Sequence, residues 1–408
     1  MKNLVFILSL ISLSSCFSLQ KRNISQSSDT AAEIKYHWTQ ILSNSTISFR
    51  AVVKAKDCPV INVDGRLEQM SKRQDATELA AVVCEFNANK NTLSAHIGNV
   101  QFPKLNSNIN SVAVYGDTGC RIKGLIVQNC HDKDAWPFEK INDKITELAP
   151  DLVIHVGDYS YRDIKCPAGN EKCEGLAGGK NWSAWEQDVW MPMKKTMAAT
   201  PFIFIRGNHE NCGGFGEFWY ASFAAEAVTP EASCKSVTAT QIFEHDGIQF
   251  INVDSADESN LRAELKKLSS YEKTSSFTWL LTHRPFLSDG PDTDYKKGPQ
   301  LLGDLSQPGA VQLVMAGHTH LGSFIKFNDG NPPELILGNG GVHIDFFQRS
   351  PKKTERSTPY TYKDYGFALL KKLNETDWQL LMLNDDAKTK INCSLSQNKN
   401  SATQLNCK

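Results

Sequence analysis

Five short apolar runs, each closed by a glycine or polar turn, constrain this chain more than any other feature. They occupy residues 111–115, 152–156, 202–205, 277–281 and 311–315. The turns that follow are Gly116-Asp117-Thr118-Gly119, Gly157-Asp158-Tyr159-Ser160-Tyr161, Gly207-Asn208-His209-Glu210, Thr282-His283 and Gly317-His318-Thr319-His320. Runs this short and this apolar read as strands. Helical spacing appears between them. Ile141, Ile145 and Leu148 lie on one face, stopped by Pro150. Trp182, Trp185, Val189 and Met193 mark a second helix, interrupted by Pro192, and Leu261, Leu265 and Leu268 a third. Alternating strands and helices predict a layered α/β domain. In such sheets the binding crevice lies beyond the carboxyl ends of the strands. The five turns are therefore expected to converge, although they are spread over residues 116–320.

The remainder of the chain sorts by composition. Lys2, an apolar run over 4–13 and small residues after it form the three parts of an export signal, expected over 1–19. The run is too short to cross a bilayer as a helix. Residues 13–16, Leu-Ser-Ser-Cys, also resemble a lipobox, which would put a lipid anchor on Cys16; ordinary cleavage a few residues later fits equally. Residues 20–44 are polar and read as a linker. Residues 45–110 hold strand-like runs at 48–53, 79–85 and 92–100 without helical period, and predict a small N-terminal all-β module. The α/β domain is expected over 111–392, with a tail over 393–408. Net charge is −1, which gives no reason to expect a nucleic-acid partner.

Eleven cysteines are present, and setting Cys16 aside leaves ten. They fall into sequence-local pairs: Cys58 with Cys84, Cys120 with Cys130, Cys166 with Cys173, Cys212 with Cys234, and Cys393 with Cys407. No Cys-x-x-Cys occurs, so zinc-ribbon spacing is absent. In an exported chain an even set of this kind predicts disulfides.

Any one of the five turns is common; five in this order, each after an apolar strand, are specific. The set resembles the metallophosphoesterase (calcineurin-like phosphoesterase) superfamily. Tyr161, three residues after Asp158, narrows the resemblance to the purple acid phosphatases. It covers about residues 110–345, and the stretches at 116–121 and 206–212 look most like bacterial branches of that family. The resemblance implies a layered metallo-dependent phosphatase fold, with mixed sheets flanked by helices.

It also implies a two-metal centre. Asp158 would bridge. The first ion would take Asp117, Asp158, Tyr161 and His320, and the second Asp158, Asn208, His283 and His318. Two carboxylates and a phenolate suit a hard, highly charged ion, Fe(3+), because tyrosine with a pKa near ~10 ionises at lower pH only on a strong Lewis acid. An amide oxygen and two imidazoles suit Zn(2+), Mn(2+) or Fe(2+). His209 would face the substrate, as general acid or as a donor to phosphate. The family usually supplies a further histidine after the fourth turn. None lies between His283 and His318, and Arg284 is the residue expected to contact phosphate instead. His155 reads as a core histidine, and His343 and Asp345 as structural.

The expected function is an exported dinuclear-metal hydrolase of small phosphate monoesters, acid phosphatase in type, acting through a metal-bound hydroxide. The alternatives are a phosphodiesterase or nucleotidase with the same centre, or a non-catalytic exported binding protein. The expected location is secreted, or the periplasm and cell envelope.

Overall fold

The computed structural model describes residues 33–43, 45–226, 234–257, 263–265, 276–287, 310–344 and 350–408. The export signal and Cys16 lie outside the described residues, as do Asp345 and, apart from Leu265, the expected helix on Leu261, Leu265 and Leu268.

Two large sheets carry the chain. In the centre of the first, Ser111–Tyr115, Leu152–His155 and Phe202–Phe204 run parallel, with Ile154 opposite both Val114 and Ile203. In the second, Ile248–Asn252, Phe277–Leu281, Leu313–Ala316 and Glu334–Leu337 run parallel in that order. Strand periodicity explains the packing: successive side chains point to opposite faces. Val112, Val114, Leu152, Ile154, Ile203 and Ile205 join one continuous core with Phe250, Trp279, Leu281, Leu313 and Met315. Their alternates Ala113, Tyr115, Val153, Phe202 and Phe204 pack on the other face against Phe138, Ile141 and Ile145 of the helix Phe138–Leu148. On the second sheet Leu280, Val314 and Ile336 likewise turn to a separate outer core. Every strand leading to a turn is thus buried on both faces, which is why each reads as a continuous apolar run. Full burial of such a side chain contributes about 1.5–3 kcal/mol.

The first sheet is larger than its parallel centre. The β module is present, and some of its strands continue this sheet: Glu33–Ile41 pairs parallel at Gln40 with Phe202, and antiparallel with Thr46–Lys54, which pairs with Ala81–Asn89. Val60–Val63, Arg66–Gln69, Ala95–Ile97 and Val100–Gln101 form a separate four-stranded sheet. Ser71–Ala76 forms one edge. Residues 33–41 were expected in the polar linker and are instead this strand. Their polar side chains are buried with partners from far along the chain. Gln40 Nε2 donates to the Phe223 carbonyl at 2.8 Å and Thr39 Oγ1 to the Pro103 carbonyl at 2.6 Å. The expected tail is also sheet. Thr389–Ser396 and Gln404–Cys407 pair antiparallel and form the opposite edge.

The helix expected near Trp182 does not stop at Pro192. It runs as α-helix Trp182–Trp185, a π turn Glu186–Trp190 and α-helix Met191–Ala199. Pro192 lies in the first turn of the last segment, where a missing N–H is tolerated, and the wider π turn ahead of it absorbs the irregularity. Asn181 caps the start, its side chain accepting from the Ala184 N–H at 2.8 Å. All five sequence-local cysteine pairs form disulfides. Among the described residues no helix is long and apolar enough to cross a membrane.

Candidate functional site

The five turns meet where the carboxyl ends of the two parallel strand sets face one another. Asp117, Asp158 and His318 adopt left-handed backbone, with φ of 56°, 57° and 69°. That conformation costs a non-glycine residue on the order of 1–3 kcal/mol and persists only where the surroundings over-determine it. Here they do. The Asp117 N–H donates to the Gly157 carbonyl at 2.9 Å and the Thr118 N–H to the Asp158 carbonyl at 3.0 Å. Gly157 has φ of 99°, and a Cβ there would stand 2.6 Å from His283 Nδ1. Only glycine lets the second and fourth turns approach this closely.

Two buried carboxylates hold the turns from behind. Glu210 accepts from the N–H groups of Tyr159 at 2.9 Å, Asp158 at 3.1 Å and Gly207 at 3.2 Å, tying the third turn to the second. Burial, then the neighbouring Asp158, push its carboxyl up to about 8. Asp188, from the π turn, accepts from Arg162 Nε at 2.5 Å, Ser160 Oγ at 2.9 Å and the Cys120 and Tyr161 N–H groups at 3.3 Å. On the other sheet the Ser255 hydroxyl accepts from the N–H groups of His283 at 2.9 Å and Arg284 at 3.0 Å.

All seven side chains expected to bind metal come together. Tyr161 Oη lies 2.8 Å from Asp158 Oδ2, 2.9 Å from Asp117 Oδ1 and 3.2 Å from His320 Nε2. His283 Nε2 lies 3.0 Å from Asn208 Oδ1 and 3.2 Å from Asp158 Oδ2. Asp158, His283 and His318 each offer a ligand atom within 4.8 Å of the others. Asp158 Oδ2 is therefore common to two groups, one around Tyr161 and one around His283.

The donor balance is that of a cation site. One phenolic proton faces two carboxylate oxygens and a ring nitrogen. His283 Nδ1 donates to the Val156 carbonyl at 2.8 Å, which turns Nε2 toward Asn208 and Asp158. The His343 carbonyl holds the His320 ring in the same way. Burial opposes a charge on the His283 ring, but Asp158 pushes it up to about 9 for the side chains by themselves, so a cation would take the place of the Nε2 proton. For the side chains by themselves, the crowding shows in their titration. Burial pushes Asp117 up to about 7 and raises Tyr161 well above its usual range. Burial opposes ionisation of Asp158 too, but the His283 and His209 rings hold it well below the usual carboxylate range. Burial lowers His318 far, and His320 to about 4, which leaves both rings neutral.

A cavity of about 110 Å³ opens on this cluster, lined by Arg121, Lys123, Asp158, Tyr161, Asn208, His209, His318 and His320. It adjoins a polar cleft of about 300 Å³ that shares Lys123, Asn208 and His209 and adds Asp163 and Lys180. His209 sits at the join. Its N–H donates to Asp158 Oδ1 at 2.9 Å, its ring lies 4.1 Å from the Tyr161 ring, and its Nδ1 is 3.8 Å from Asp163. Arg284 enters the cluster from the second sheet. Its Nε donates to the Ser255 carbonyl at 3.1 Å and its Nη1 to His318 Nε2 at 3.1 Å. His155 is a satisfied core histidine, with Nε2 3.0 Å from Thr118 Oγ1 and Nδ1 accepting from the Gly157 N–H at 3.2 Å.

A larger cavity, about 420 Å³, lies at the opposite, amino end of the second sheet, lined by Asp246, Phe277, Lys372, Glu375 and Trp378. Lys372 pairs there with Asp246 at 3.2 Å and Glu375 at 3.4 Å, so its charges are already matched.

Sequence reasoning missed Arg121, Lys123, Asp163, Glu210 and Asp188. Glu210 stands inside the third turn and Arg121 two residues after the first, but a glutamate clamped by backbone N–H groups some fifty residues away has no local signal.

Comparison with known proteins places the site in context. Residues 111–322, just over half of the chain, match the profile of the calcineurin-like phosphoesterase family. No curated protein matches the sequence. Among solved structures, a purple acid phosphatase from yellow lupin (Lupinus luteus) seeds is similar with a TM-score of 0.60 at 15% identity, over 90% of this chain and 75% of that one. PhoD is similar with a TM-score of 0.56 at 10% identity, over 91% of each chain. At these identities the likeness is one of fold.

Proposed function

The chain belongs to the calcineurin-like phosphoesterase family of metal-dependent hydrolases, and from that premise we propose that it is an exported phosphomonoesterase of the acid phosphatase type. One observation carries the reading: seven ligand-type side chains from five separate turns close on two groups that share Asp158 Oδ2.

In this reading Asp117, Asp158, Tyr161 and His320 hold Fe(3+), and Asp158, Asn208, His283 and His318 hold Zn(2+), Mn(2+) or Fe(2+). The anionic oxygens gather on the first side and the neutral donors on the second, which is the split those two charges call for. Bound there, the two ions supply Lewis acidity toward the phosphate oxygens and lower the pKa of water. The protein's own groups do the remainder. The Val156 and His343 carbonyls orient the two rings they hold. Glu210 keeps Asp158 and the third turn in register. His209, on the wall between the inner cavity and the polar cleft, delivers a proton to the departing oxygen. Burial lowers its ring, while Asp158 and Asp163 act the other way and favour the protonated form. Arg284, whose Nη1 donates to His318 Nε2, would turn from that nitrogen when it takes an ion.

Export is supported by ten of eleven cysteines paired in bridges, since such bridges persist in oxidising compartments. The signal-like segment over 1–19, with or without a lipid on Cys16, supplies the route.

The test is turnover of an aryl phosphate against its bis-aryl diester by purified protein of measured metal content. Faster monoester hydrolysis, with iron and one divalent ion present, supports the reading. Faster diester hydrolysis moves the chain to the phosphodiesterases. No hydrolysis of either ester with any of these metals turns it into a binding protein.

A further inference from the structure

A guanidinium without a partner borders the inner cavity. Arg121 lines it beside His209 and His320. Its Nε is buried and has no hydrogen-bond partner, and among the described residues the side chain forms no ion pair. Buried polar groups are almost always satisfied, and one that is not calls for an explanation. A buried cationic donor is more costly to leave unmatched than a neutral one.

Its backbone, by contrast, is fixed from both sides. The Arg121 N–H donates to Gln128 Oε1 at 3.0 Å, and the Gln128 N–H returns a bond to the Arg121 carbonyl at 2.8 Å. Cys120, the preceding residue, is bridged to Cys130. Gln128 is itself anchored, with Nε2 donating to the Ala135 carbonyl at 2.6 Å and the Gly341 carbonyl at 2.8 Å. A rigid backbone that carries a side chain with nothing to bond is the arrangement of a group whose partner arrives from solution. The partner must be anionic, present several acceptor oxygens and fit within about 110 Å³. A phosphoryl group meets all three conditions, and a planar guanidinium binds two of its oxygens at once.

We propose that Arg121 is a catalytic residue that binds the non-bridging oxygens of the phosphoryl group. This gives Arg121 a contact of the kind that the sequence suggested for Arg284, whose Nε donates to the Ser255 carbonyl. The inference rests on the phosphate-ester reading above, but it makes its own claim about equilibrium binding of phosphate.

The experiment uses the full, metal-loaded chain and its Arg121→Ala and Arg121→Lys variants. It measures binding of inorganic phosphate, hydrolysis of an aryl and an alkyl phosphate, and metal content. Arg121→Ala is expected to weaken phosphate binding by about 10–10²-fold, the range for hydrogen bonds to charged groups. It should lower kcat/KM for good and poor leaving groups by similar factors and leave the metals in place. Arg121→Lys should recover part of the loss, and added guanidinium ion should rescue the alanine variant. Unchanged phosphate binding, loss confined to the poor leaving group, or loss of metal would each overturn the assignment. If the wild type hydrolyses no ester yet binds phosphate through Arg121, the hydrolase reading fails and the inference stands. If esters are hydrolysed and Arg121→Ala binds phosphate normally, the reverse holds.

Discussion

The two sheets contribute unequal halves to the site. The first supplies Asp117, Asp158, Tyr161 and Asn208, all oxygen donors. The second supplies His283, His318 and His320, all nitrogen donors. The oxygen half is pinned covalently and by buried carboxyl groups. Cys120–Cys130, Cys166–Cys173 and Cys212–Cys234 each follow one of its turns. Asp188 and Glu210 grip its backbone, and Arg162 is bonded to Asp188. The nitrogen half has no covalent fixture, because the sequence holds no cysteine between 235 and 392, and its buried carboxylate is Glu334, which accepts from the Phe286 and Leu287 N–H groups at 2.9 and 3.0 Å. This half is also set by strand pairing, by Ser255 and by groups of the other half. His283 takes its orientation from the Val156 carbonyl, and the His318 N–H donates to Asp117 Oδ2 at 2.8 Å. The oxygen side is thus cross-linked covalently as well as clamped, and the nitrogen side takes part of its alignment from contact with it. Cations bound between them would join the two.

Removing the shared group should break that join most severely. In wild type, metal held at a hundredfold its Kd stabilises the folded chain by about 2.7 kcal/mol, so chelation should lower Tm. Asp158→Ala should shrink that difference, release one ion by elemental analysis and reduce hydrolysis to background. An Asp158→Ala protein that keeps both ions and its Tm response to chelator would show that the halves are joined elsewhere.

His209→Ala leaves both halves and the join intact. It should retain both metals and lose about 10²–10⁴-fold in kcat on a poor leaving group. The loss should shrink on a good one, which departs without a proton. Equal losses on both, in a plot of rate against leaving-group pKa, would remove the general-acid role.

The covalent pinning can be tested without touching the site. Replacing Cys166 and Cys173 together by serine opens a short loop after the second turn. The expected cost is about 2 kcal/mol in denaturant unfolding, the low end for a bridge of this span. Activity and metal content should hold, because Asp188 and Glu210 still grip the turn. Loss of metal in that variant would mean that the bridge, and not the buried carboxylates, fixes the oxygen half.

Much of this was legible because the relevant chemistry is local in sequence. Each site residue follows its own strand within a few positions, and the disulfides join near neighbours. The strands read correctly because burial on both faces leaves an unbroken apolar run. What escaped reading depends on distant partners. Thr39 and Gln40 look like linker residues until Pro103 and Phe223 accept their hydrogen bonds. Pro192 looks like a break until a π turn precedes it. Asp188 sits in the middle of a helix read for its tryptophans, and only the fold brings Ser160 and Tyr161 to it.

The gentlest change should alter colour more than rate. Tyr161→Phe keeps the ring that lies 4.1 Å from His209 and removes only the oxygen between Asp117, Asp158 and His320. In the side chains alone that hydroxyl stays protonated, since burial first, and then the two carboxylates, raise it well above its usual range. Only a strongly charged ion would make it a phenolate, and a ferric phenolate absorbs visible light by transferring charge from oxygen to metal. The iron-loaded wild type should therefore be coloured and the phenylalanine variant should not. Three of the four donors of the first group remain, so hydrolysis should fall by about tenfold, near the low end for loss of an outer partner of a metal ligand. The metal-free variant should melt below metal-free wild type, because two buried carboxylates then lose the donor they share. A visible band that survives the substitution, or an iron-loaded wild type without one, would take Tyr161 out of the first group. The oxygen half would then rest on its two carboxylates alone, and a divalent ion would suit it as well as a ferric one.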